Sequence, residues 1–399
     1  MMAALTAANA GCGVVLLEKN EKLGKKMYIT GKGRCNITNN CTIQEFFLNV
    51  ARNPKFLTRS LYALPPDALA SMLNEEGLHT KVERGGRVFP QSGKSSDVIR
   101  CMQKMLQKAN AEVLLHTNVK SIRKTDAGFT VQAGGAAFEA RAVIVATGGA
   151  SYSQTGSTGD GYAFARSFEH TVWEPHPALS ALVEKGSVCA GLQGLSLKNV
   201  RFTLWQGEKE IFSDMGEMLF TGNGVSGPLV LSASSAVNYE KPVVLAAGID
   251  FKPALNHEKL DARILRDFEQ NKNKQISNVL AELLPHRLIE PVLAAAGIGG
   301  AKAVNSITKK EREALVRVLK GFRIEIAGPA PLEEAIITRG GVHTKEIDPS
   351  TMESKNAPGL YFAGELVDVD ALTGGFNMQI AFSTGYLAGM SACKHMVDK

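Results

Sequence analysis

The sequence predicts an α/β protein in which one sheet domain is interrupted by an insertion. Residues 14–17 and 360–363, near the two ends of the chain, are uninterrupted apolar runs of strand length, and a third run covers 142–147. Such runs are typical of parallel strands buried on both faces of a sheet. Between residues 180 and 330 the pattern changes to short β segments and then to helices. Because the apolar runs resume afterwards, we expect the two ends to form one domain.

The N-terminal elements follow from side-chain size and periodicity. Residues 2–10 are predicted to form a helix, with Ala4 and Ala8 on one face where a neighbouring backbone can approach closely. Two glycines end this helix, and the strand at 14–17 then places Glu18 at its carboxyl end. An amphipathic helix is predicted over 95–109, followed by strands, three of them a meander, over 112–115, 118–123, 129–132 and 137–141.

The insertion is predicted to contain a β-rich part and a helical part. Strands are expected at 200–205, 210–212, 218–220 and 243–249. Helices are expected at 276–284 and 311–319, further strands at 323–326 and 335–338, and a last helix at 376–394. The predicted domains are a split sheet domain, 1–179 with 331–399, a β-rich inserted domain, 180–253 with 321–330, and a helical insertion, 254–320.

The composition excludes several classes of function. Lys and Arg number 45 against 39 Asp and Glu, and this net charge of +6 gives no reason to expect nucleic acid as a partner. The densest basic run, within 19–34, suits a solvated loop or a small phosphorylated ligand. No apolar stretch approaches the roughly 20 residues of a membrane span, and residues 1–10 lack the charged start of a signal peptide. We therefore expect a cytoplasmic protein without membrane partners.

The cysteines point away from metal and thiol chemistry. The six cysteines form no Cys-x-x-Cys pair, and no His pair has metal-ligand spacing, so zinc sites and thioredoxin-like motifs are not predicted. Reduced, mostly buried thiols fit a cytoplasmic protein. A redox pair of Cys35 and Cys41, which are close in sequence, stays open as an alternative.

The N-terminal segment contains most parts of a dinucleotide site. Such sites use a strand, a glycine-rich turn, a helix, a second strand and then an acid that accepts hydrogen bonds from a ribose. Residues 2–17 supply the helix and the second strand, and Glu18 stands where the acid belongs. The first strand and its glycine-rich turn are absent from the sequence as printed. An ordinary packing helix would also explain residues 2–10 taken alone.

The C-terminal segment supplies a second half of such a site. The strand at 360–363 ends at Gly364, and Gly374-Gly375 lead directly into the last helix. The free N–H groups and dipole at that helix start favour negative charge, as on the pyrimidine end of a reduced flavin. Small residues recur along one face of this helix at Ala381, Gly385 and Gly389, so it is predicted to pack tightly.

Several motifs together resemble the bacterial NAD(P)/FAD-dependent oxidoreductases of the BaiN type. They are Glu-Lys-Asn-Glu-Lys-Leu-Gly-Lys-Lys at 18–26, Thr-Gly-Lys-Gly-Arg-Cys-Asn-Ile-Thr-Asn at 30–39, Ala-Thr-Gly-Gly at 146–149, Gly-Glu-Met-Leu-Phe-Thr at 216–221, Gly-Val-Ser-Gly-Pro at 224–228, and the segment 359–379. The resemblance covers essentially the whole chain. It implies a split FAD-binding, Rossmann-like domain with an inserted β-barrel-like domain and a small helical domain.

The resemblance also exposes departures from the family. It implies a Gly-Gly-Gly-x-x-Gly loop directly before Met1, so we expect the chain to lack part of its phosphate cradle through truncation or a misplaced start. Residues 221–223 replace a turn that often contains histidine, and Ala371-Leu372 stand where relatives often carry a glycine and then an aromatic residue.

Roles are carried over residue by residue. The resemblance implies that Glu18 holds the adenosine ribose and that the backbone of Val119 meets adenine. Lys26 and the loop at 31–36, with Gly31, Arg34 and Asn36, should lie near the ribityl chain or flavin. The remaining implied cofactor residues are Thr147, Gly148, Gly149, Gly364, Glu365, Asp370, Gly375, Phe376, Asn377, Met378 and Gln379.

The expected function is an FAD-dependent oxidoreductase, in which NAD(P)H reduces a small or steroid-like organic substrate. The alternatives are an FAD-dependent amine oxidase of the aminoacetone type that releases hydrogen peroxide, and a non-enzymatic or truncated flavoprotein. No catalytic residue is assigned, and motif proximity alone makes candidates for proton transfer of Arg34, Tyr152, His176, His343 and Asp370. No metal is expected. The substrate, electron donor and oligomeric state stay open.

Overall fold

The computed structural model describes residues 1–397, with side chains described up to residue 394. The chain divides into two compact units. Unit 1 combines Met1–Ala178 with Leu332–Lys399, and unit 2 is the intervening Leu179–Pro331.

The N-terminal part of unit 1 contains seven helices and eleven strands, in addition to short 3-10 turns. The helices are α1 (Met2–Asn9), α2 (Lys25–Gly33), α3 (Ile43–Leu48), α4 (Thr58–Ala63), α5 (Pro66–Glu75), α6 (Ser95–Lys108) and α7 (Asp160–Ser167). The strands are β1 (Val15–Leu17), β2 (Thr38–Asn39), β3 (Val50–Arg52), β4 (Thr80–Glu83), β5 (Arg87–Pro90), β6 (Glu112–Leu114), β7 (Val119–Thr125), β8 (Gly128–Ala133), β9 (Ala136–Ala140), β10 (Val143–Val145) and β11 (Val172–Ala178).

Unit 2 and the C-terminal part of unit 1 complete the chain. Unit 2 contains β12 (Leu182–Glu184), α8 (Val188–Leu192), β13 (Ser196–Gln206), β14 (Lys209–Thr221), β15 (Gly224–Ser226), α9 (Pro228–Ser234), β16 (Leu245–Asp250), α10 (His257–Gln270), α11 (Ile276–Leu280), α12 (His286–Ala296), α13 (Lys309–Lys320) and β17 (Phe322–Pro329). Unit 1 resumes with β18 (Ile337–Val342), β19 (Leu360–Phe362), β20 (Asp370–Ala371) and α14 (Phe376–Val397).

The parallel strands of unit 1 form two separate pairs. β1 pairs with β6, and β10 pairs with β19. β19 is buried along its whole length, as the apolar run predicts. β1 is more exposed than predicted, because among the described residues it has a neighbour on one edge only, and Val15 is 46% exposed. Antiparallel sheets surround these pairs: the predicted meander β7-β8-β9, the sheet β2-β5-β4, and the pairs β11-β18 and β3-β20.

Unit 2 is a closed six-stranded barrel with helices packed against it. The strand order around the barrel is β12-β15-β14-β13-β16-β17. Apolar side chains of the barrel, such as Phe202 and Phe220, belong to the same buried cluster as those of the helices, such as Leu288 and Leu315. The barrel and the helices therefore share one hydrophobic core.

Several predicted elements differ from those observed. The segments at 210–212 and 218–220 belong to one strand, β14, because Ser213 to Gly216 continue to pair with β13 instead of turning. The short helices α8 and α9 lie in the part expected to be only β, and α9 begins with Pro228, a favourable first helical residue. The described residues contain no helix long and apolar enough to cross a membrane.

The prediction that every cysteine is reduced is wrong. Cys12, just after α1, and Cys393, near the end of α14, form a disulfide, and their Cα atoms are 5.9 Å apart. Their separation of 381 residues hides the pairing from any analysis of local spacing. Cys35 and Cys41 are free thiols. Burial raises the pKa of Cys35 to about 12 and that of Cys41 to about 11, so neither thiol is activated as a redox partner.

Candidate functional site

The two ends of the chain meet through α1 and α14. A methyl group on Gly389 would lie 2.4 Å from the carbonyl oxygen of Ala3, so the helix backbones are in direct contact at this point. Gly385 faces the same residue with more room, at 3.4 Å from the Ala3 nitrogen. The small-residue face predicted for α14 is therefore confirmed at Gly385 and Gly389. On α1 the contact is made by Ala3 and Thr6, and not by the predicted face of Ala4 and Ala8.

The loop at 31–39 closes over the start of α14. Gly374 and Gly375 have φ angles of +134° and +101°, which favour glycine. A side chain on Gly375 would collide with the Thr38 carbonyl oxygen at 2.3 Å and approach Asn36 Oδ1 at 2.9 Å. Asn39 Nδ2 donates to the Gly374 carbonyl at 2.9 Å. The structure thus brings the predicted loop and the predicted glycines together.

The side chains in the first turn of α14 hold its position. Gln379 is fully buried; it accepts a hydrogen bond from Thr38 Oγ1 at 2.6 Å and donates to the Leu64 carbonyl at 2.8 Å. Asn377 Nδ2 donates to the Ala371 carbonyl at 2.7 Å. Phe376 packs edge-on against Phe46. These predicted cofactor residues therefore orient the helix start through their side chains, as does Met378, which packs against the adjacent core.

An ion pair joins the segment after β1 to the segment after β19. Lys26 Nζ lies 2.7 Å from Glu365 Oε2 and 2.8 Å from Ser151 Oγ. Glu365 Oε1 also accepts from Ser151 Oγ at 3.0 Å and from the Thr338 N–H at 2.7 Å. Both side chains of the pair are about one fifth exposed, so the cluster borders solvent. The structure thus brings together two residues that were predicted separately as cofactor ligands, Lys26 and Glu365.

The glycines that follow β10 approach the same cluster. A methyl group on Gly149 would lie 2.3 Å from Thr338 Oγ1, which accepts the Ala150 and Ser151 N–H groups. Gly148 has a φ of +77° and faces Ser157, whereas Thr147 is exposed. Gly364, with φ +76°, follows β19, and its N–H donates to Thr384 Oγ1 at 3.0 Å.

Glu18 and Val119 lie at one end of the β1-β6 pair. Glu18 Oε1 accepts from the backbone and side-chain N–H groups of Asn20, at 2.9 and 2.8 Å. The Thr117 N–H donates to the Glu18 carbonyl at 2.8 Å, two residues before Val119. Glu18 therefore stands at a strand end with its carboxylate half-buried, in the position expected of a ribose ligand.

Two of the five candidate proton-transfer residues, His176 and Asp370, are linked by a common neighbour. Asp370 is buried and pairs with Arg339 at 2.8 Å, and Arg339 lies opposite His176 in the β11-β18 pair. Burial is the main cause that lowers the pKa of His176, and the positive charges of Arg339 and Arg52 lower it further, against the opposing effect of Glu174. His176 and Asp370 are thus joined through Arg339, which the sequence did not single out.

The other three candidates lie elsewhere. Arg34 pairs with Glu83 and stacks on the Phe89 ring, 4.1 Å from its centre. His343 packs edge-on against Trp173 with ring centres 5.5 Å apart. Tyr152 has a φ of +50° and begins a 3-10 turn. Within the described part of the chain, the ion pairs and ring contacts of these three residues involve neither His176 nor Asp370.

The arrangement fits part of an FAD molecule. Asn36 Oδ1 is buried without a hydrogen-bond partner, beside the glycines at the start of α14, so an acceptor and the first N–H groups of a helix lie side by side. Glu18 can hold a ribose, and the Lys26–Glu365 pair adds a half-buried charged group that borders solvent. The pattern Gly-x-Gly-x-x-Gly occurs in residues 1–399 at 222–227, across β15 in unit 2, so the residues of unit 1 supply no loop of that type for the pyrophosphate.

Comparisons with known proteins give the family and the fold of the chain. The family model described as the HI0933-like protein Rossmann domain matches residues 1–391. The 3-dehydro-bile acid delta(4,6)-reductase of Clostridium scindens is 30% identical over 99% of this chain and 96% of its own. The ribosomal RNA dihydrouridine synthase of Escherichia coli is 28% identical over 97% of this chain and 93% of its own, and that of Haemophilus influenzae is 29% identical over 98% and 95%.

Solved structures share the fold at low identity. The 3-ketosteroid delta1-dehydrogenase of Sterolibacterium denitrificans has a TM-score of 0.50 at 12% identity, over 98% of this chain and 97% of that one. FrdA of the Escherichia coli quinol fumarate reductase also has a TM-score of 0.50, at 16% identity, over 99% and 69%. The family match over nearly the whole chain confirms the resemblance found in the sequence. The chain therefore belongs to the HI0933-like Rossmann family of FAD-binding oxidoreductases.

Proposed function

We propose that this protein reduces a carbon–carbon double bond conjugated to a carbonyl group, with FAD as its cofactor and NAD(P)H as the electron donor. The observation that carries the proposal is that whole-chain relatives are named for two unlike substrates that share this bond. A 3-oxo compound with Δ4,6 unsaturation is a conjugated dienone, and dihydrouridine arises when the ring double bond of uridine, which is conjugated to a carbonyl, is reduced.

The residues of the chain would hold and orient the cofactor. FAD, when bound, supplies two-electron transfer, which amino-acid side chains do not provide. Glu18 would accept hydrogen bonds from the adenosine ribose, and Asn36 with the glycines at 374–375 would accommodate the ring end. The start of α14 would favour negative charge there through its free N–H groups. Lys26, held by Glu365, would contribute a fixed positive charge between these two regions.

The group around Arg339 is the best candidate for the substrate carbonyl. A hydride adds to the carbon distant from the carbonyl, and the electrons of the double bond move towards the carbonyl oxygen. A proton must then reach the carbon beside the carbonyl. Arg339 is held by Asp370, which lies four residues before Gly374, and it faces His176 across the strand pair. We propose that Arg339 polarises the carbonyl and that His176, kept mainly neutral by its lowered pKa, relays the proton.

Two substrate classes follow from this chemistry. The first is a small or steroid-like enone, as the sequence predicts, and the second is a uridine in ribosomal RNA. The second differs from the sequence-based expectation of no nucleic-acid partner, which rested on the total charge alone. Both substrate classes contain the same reacting bond. One assay, which follows the oxidation of NAD(P)H, therefore serves for both.

The test is anaerobic mixing of the purified protein, reconstituted with FAD, with NADH or NADPH. We expect one of the two donors to bleach the flavin absorbance, and we expect an enone or transcribed ribosomal RNA to restore it. Dihydrouridine formed in the RNA is measured by mass spectrometry of nucleosides. The variant Arg339→Gln should lose at least about 100-fold in turnover while it keeps the flavin spectrum, and Arg201→Gln, on an exposed position of unit 2, is the control.

Other outcomes are informative. A protein that binds no flavin when FAD is supplied would contradict the proposal. Hydrogen peroxide released from aminoacetone in air, without oxidation of NAD(P)H, would instead support the amine oxidase that the sequence left as an alternative.

A further inference from the structure

A group of basic side chains lies on two segments next to the candidate flavin site. We call it the basic rim, and it consists of Lys32 and Arg34 on the loop at 31–36 and of Lys81, Arg84 and Arg87 on the β4-β5 hairpin. The hairpin turns through Gly85 and Gly86, which have φ angles of +77° and +70°. Arg84 and Lys32 are exposed, and Arg87 is half-buried.

The hairpin is tied directly to the start of α14. Asn39 Nδ2 donates both to the Gly85 carbonyl at 3.0 Å and to the Gly374 carbonyl at 2.9 Å. A methyl group on Gly86 would lie 2.4 Å from Asn39 Oδ1, so no side chain separates the turn from this amide. The Asn40 N–H donates to the Gly86 carbonyl at 2.6 Å. One asparagine therefore links the tip of the hairpin to Gly374, the neighbour of the predicted cofactor residue Gly375.

The positive charge of the rim is only partly neutralised. Glu83 pairs with Arg34 and, at 3.8 Å, with Lys81. Among the described residues, Lys32, Arg84 and Arg87 form no ion pair. Glu83 therefore neutralises two of the five basic groups only in part, and the other three are available to an external anion.

Two of the guanidinium groups are held in place by one aromatic ring. Arg34 lies 4.1 Å from the centre of the Phe89 ring, and Arg87 lies 5.9 Å from it. Arg87 Nε also donates to the Arg84 carbonyl at 3.0 Å. Guanidinium groups that stack on an aromatic ring lose less freedom when they bind an anion, and their planar shape suits phosphate.

We propose that the basic rim binds backbone phosphates of a structured RNA, so that a uridine of that RNA can reach the flavin site. This inference rests on the proposed function and selects its second substrate class. A single carboxylate on a small substrate would need one arginine, whereas cations spread over two segments match the spaced charges of a polynucleotide. Their position matters more than the net charge of the whole chain, because RNA recognition depends on a local basic surface.

The test measures binding of transcribed ribosomal RNA by the FAD-loaded protein at several salt concentrations. The double variant Arg84→Gln with Arg87→Gln removes two charges from the hairpin without touching the residues assigned to cofactor or carbonyl. We expect its affinity to fall by about 10-fold or more, and the slope of log affinity against log salt to decrease by about 2, close to 1 for each phosphate contact. The matched control, Lys272→Gln with Lys274→Gln, removes two exposed charges from unit 2 and should change neither quantity beyond a small long-range effect.

A second measurement separates this proposal from the proposed function. Oxidation of NAD(P)H by a neutral enone should be the same in the rim variant and in the wild type, because a neutral acceptor needs no phosphate contact. If the wild type does not oxidise NAD(P)H with the enone, the proposed reductase is contradicted. The RNA affinities of the two proteins then decide by themselves whether the basic rim binds RNA. Unchanged RNA affinity in the rim variant overturns the proposal. It is also overturned if RNA binds neither protein and only the KM for a carboxylated enone rises in the variant.

Discussion

The barrel of unit 2 and the parallel strands of unit 1 differ in how the edges of their strands are paired. Each barrel strand has a partner on both edges, and its side chains share one continuous core with six helices, α8 to α13. In unit 1, as far as the structure describes it, β1 and β10 each pair along one edge only. The residues around those edges are joined instead by side-chain hydrogen bonds, such as those of Glu365 and Gln379.

This difference separates structural from functional parts of the molecule. A closed barrel satisfies its backbone groups internally and leaves no strand edge for another chain. The loops that meet at Glu365 and Gly375 are instead held by polar contacts that border a cofactor site. Regions with few ladder hydrogen bonds open more easily, so we expect unit 1 to gain more stability from a bound cofactor than unit 2.

The largest effect should come from Phe202→Ala in the barrel. Phe202 is fully buried in β13, and its truncation leaves a cavity that should lower the free energy of unfolding of unit 2 by about 3–5 kcal/mol. Calorimetry combined with limited proteolysis should show the loss in unit 2. Arg201→Ala, the exposed neighbour, should change stability by less than about 0.5 kcal/mol. An equal loss in both units would mean that they unfold as one, contrary to the comparison.

A smaller effect should come from Gly389→Ala in α14. The new methyl group would collide with the Ala3 carbonyl, so α1 and α14 must separate, at a cost of about 1–3 kcal/mol in unit 1. Gly385→Ala provides a matched control in the same helix, because its methyl group would make an ordinary contact. That control should be neutral or slightly stabilising, since alanine is the better helix former. Thermal unfolding followed by circular dichroism distinguishes the two, and equal stability of both variants would argue against close packing of α1 on α14.

The smallest effect concerns pH. Burial is the main cause that lowers the pKa of His170 and of His176, both in unit 1, so protonation favours the unfolded chain. Unit 1 should therefore lose stability as the pH falls below about 6.5, the ordinary histidine value, towards the lowered folded values. In unit 2, hydrogen bonds from Lys302 and then Thr308 lower the pKa of Glu311 to about 2, so its contribution is lost only as the pH falls below 4.5.

Melting temperatures at pH 7.5 and 5.5 measure this effect. His170→Gln should reduce the fall in the melting temperature of unit 1, because it removes one group that is protonated on unfolding. The control is His116→Asn, at an exposed loop position with a φ of +53°. It should leave the fall in melting temperature unchanged. A steeper fall in His170→Gln than in the wild type would contradict the assigned direction of the pKa shift.

Much of the fold follows from the sequence because it depends on local periodicity. The helix at 95–109, the meander and the small-residue face of the last helix were all predicted from spacing, and the family match supports the split Rossmann domain. The long strand β14 was missed because Asp214 and Gly216 have the composition of a turn. Its pairing with β13, which only the folded barrel supplies, outweighs that local preference.

The candidate site was predictable where a residue belongs to a motif. Glu18, Lys26, Glu365 and Gly375 stand in recognisable segments, and the structure places them at strand ends or at a helix start. Thr338 and Arg339 stand in no recognisable motif, because they act through partners that are distant in sequence. The only local signal for them is a short β segment followed by Gly340-Gly341. Side-chain partners of this kind emerge only when the chain has folded.

The bond between Cys12 and Cys393 makes the chain a covalent ring with two short tails. A protease that cuts anywhere within the ring produces a nicked molecule of unchanged mass apart from one added water. Such a molecule migrates as one species in electrophoresis until a thiol reductant releases the fragments. The two parts of the split domain consequently remain tethered, at a high effective concentration for each other, even after the insertion between them has been cleaved.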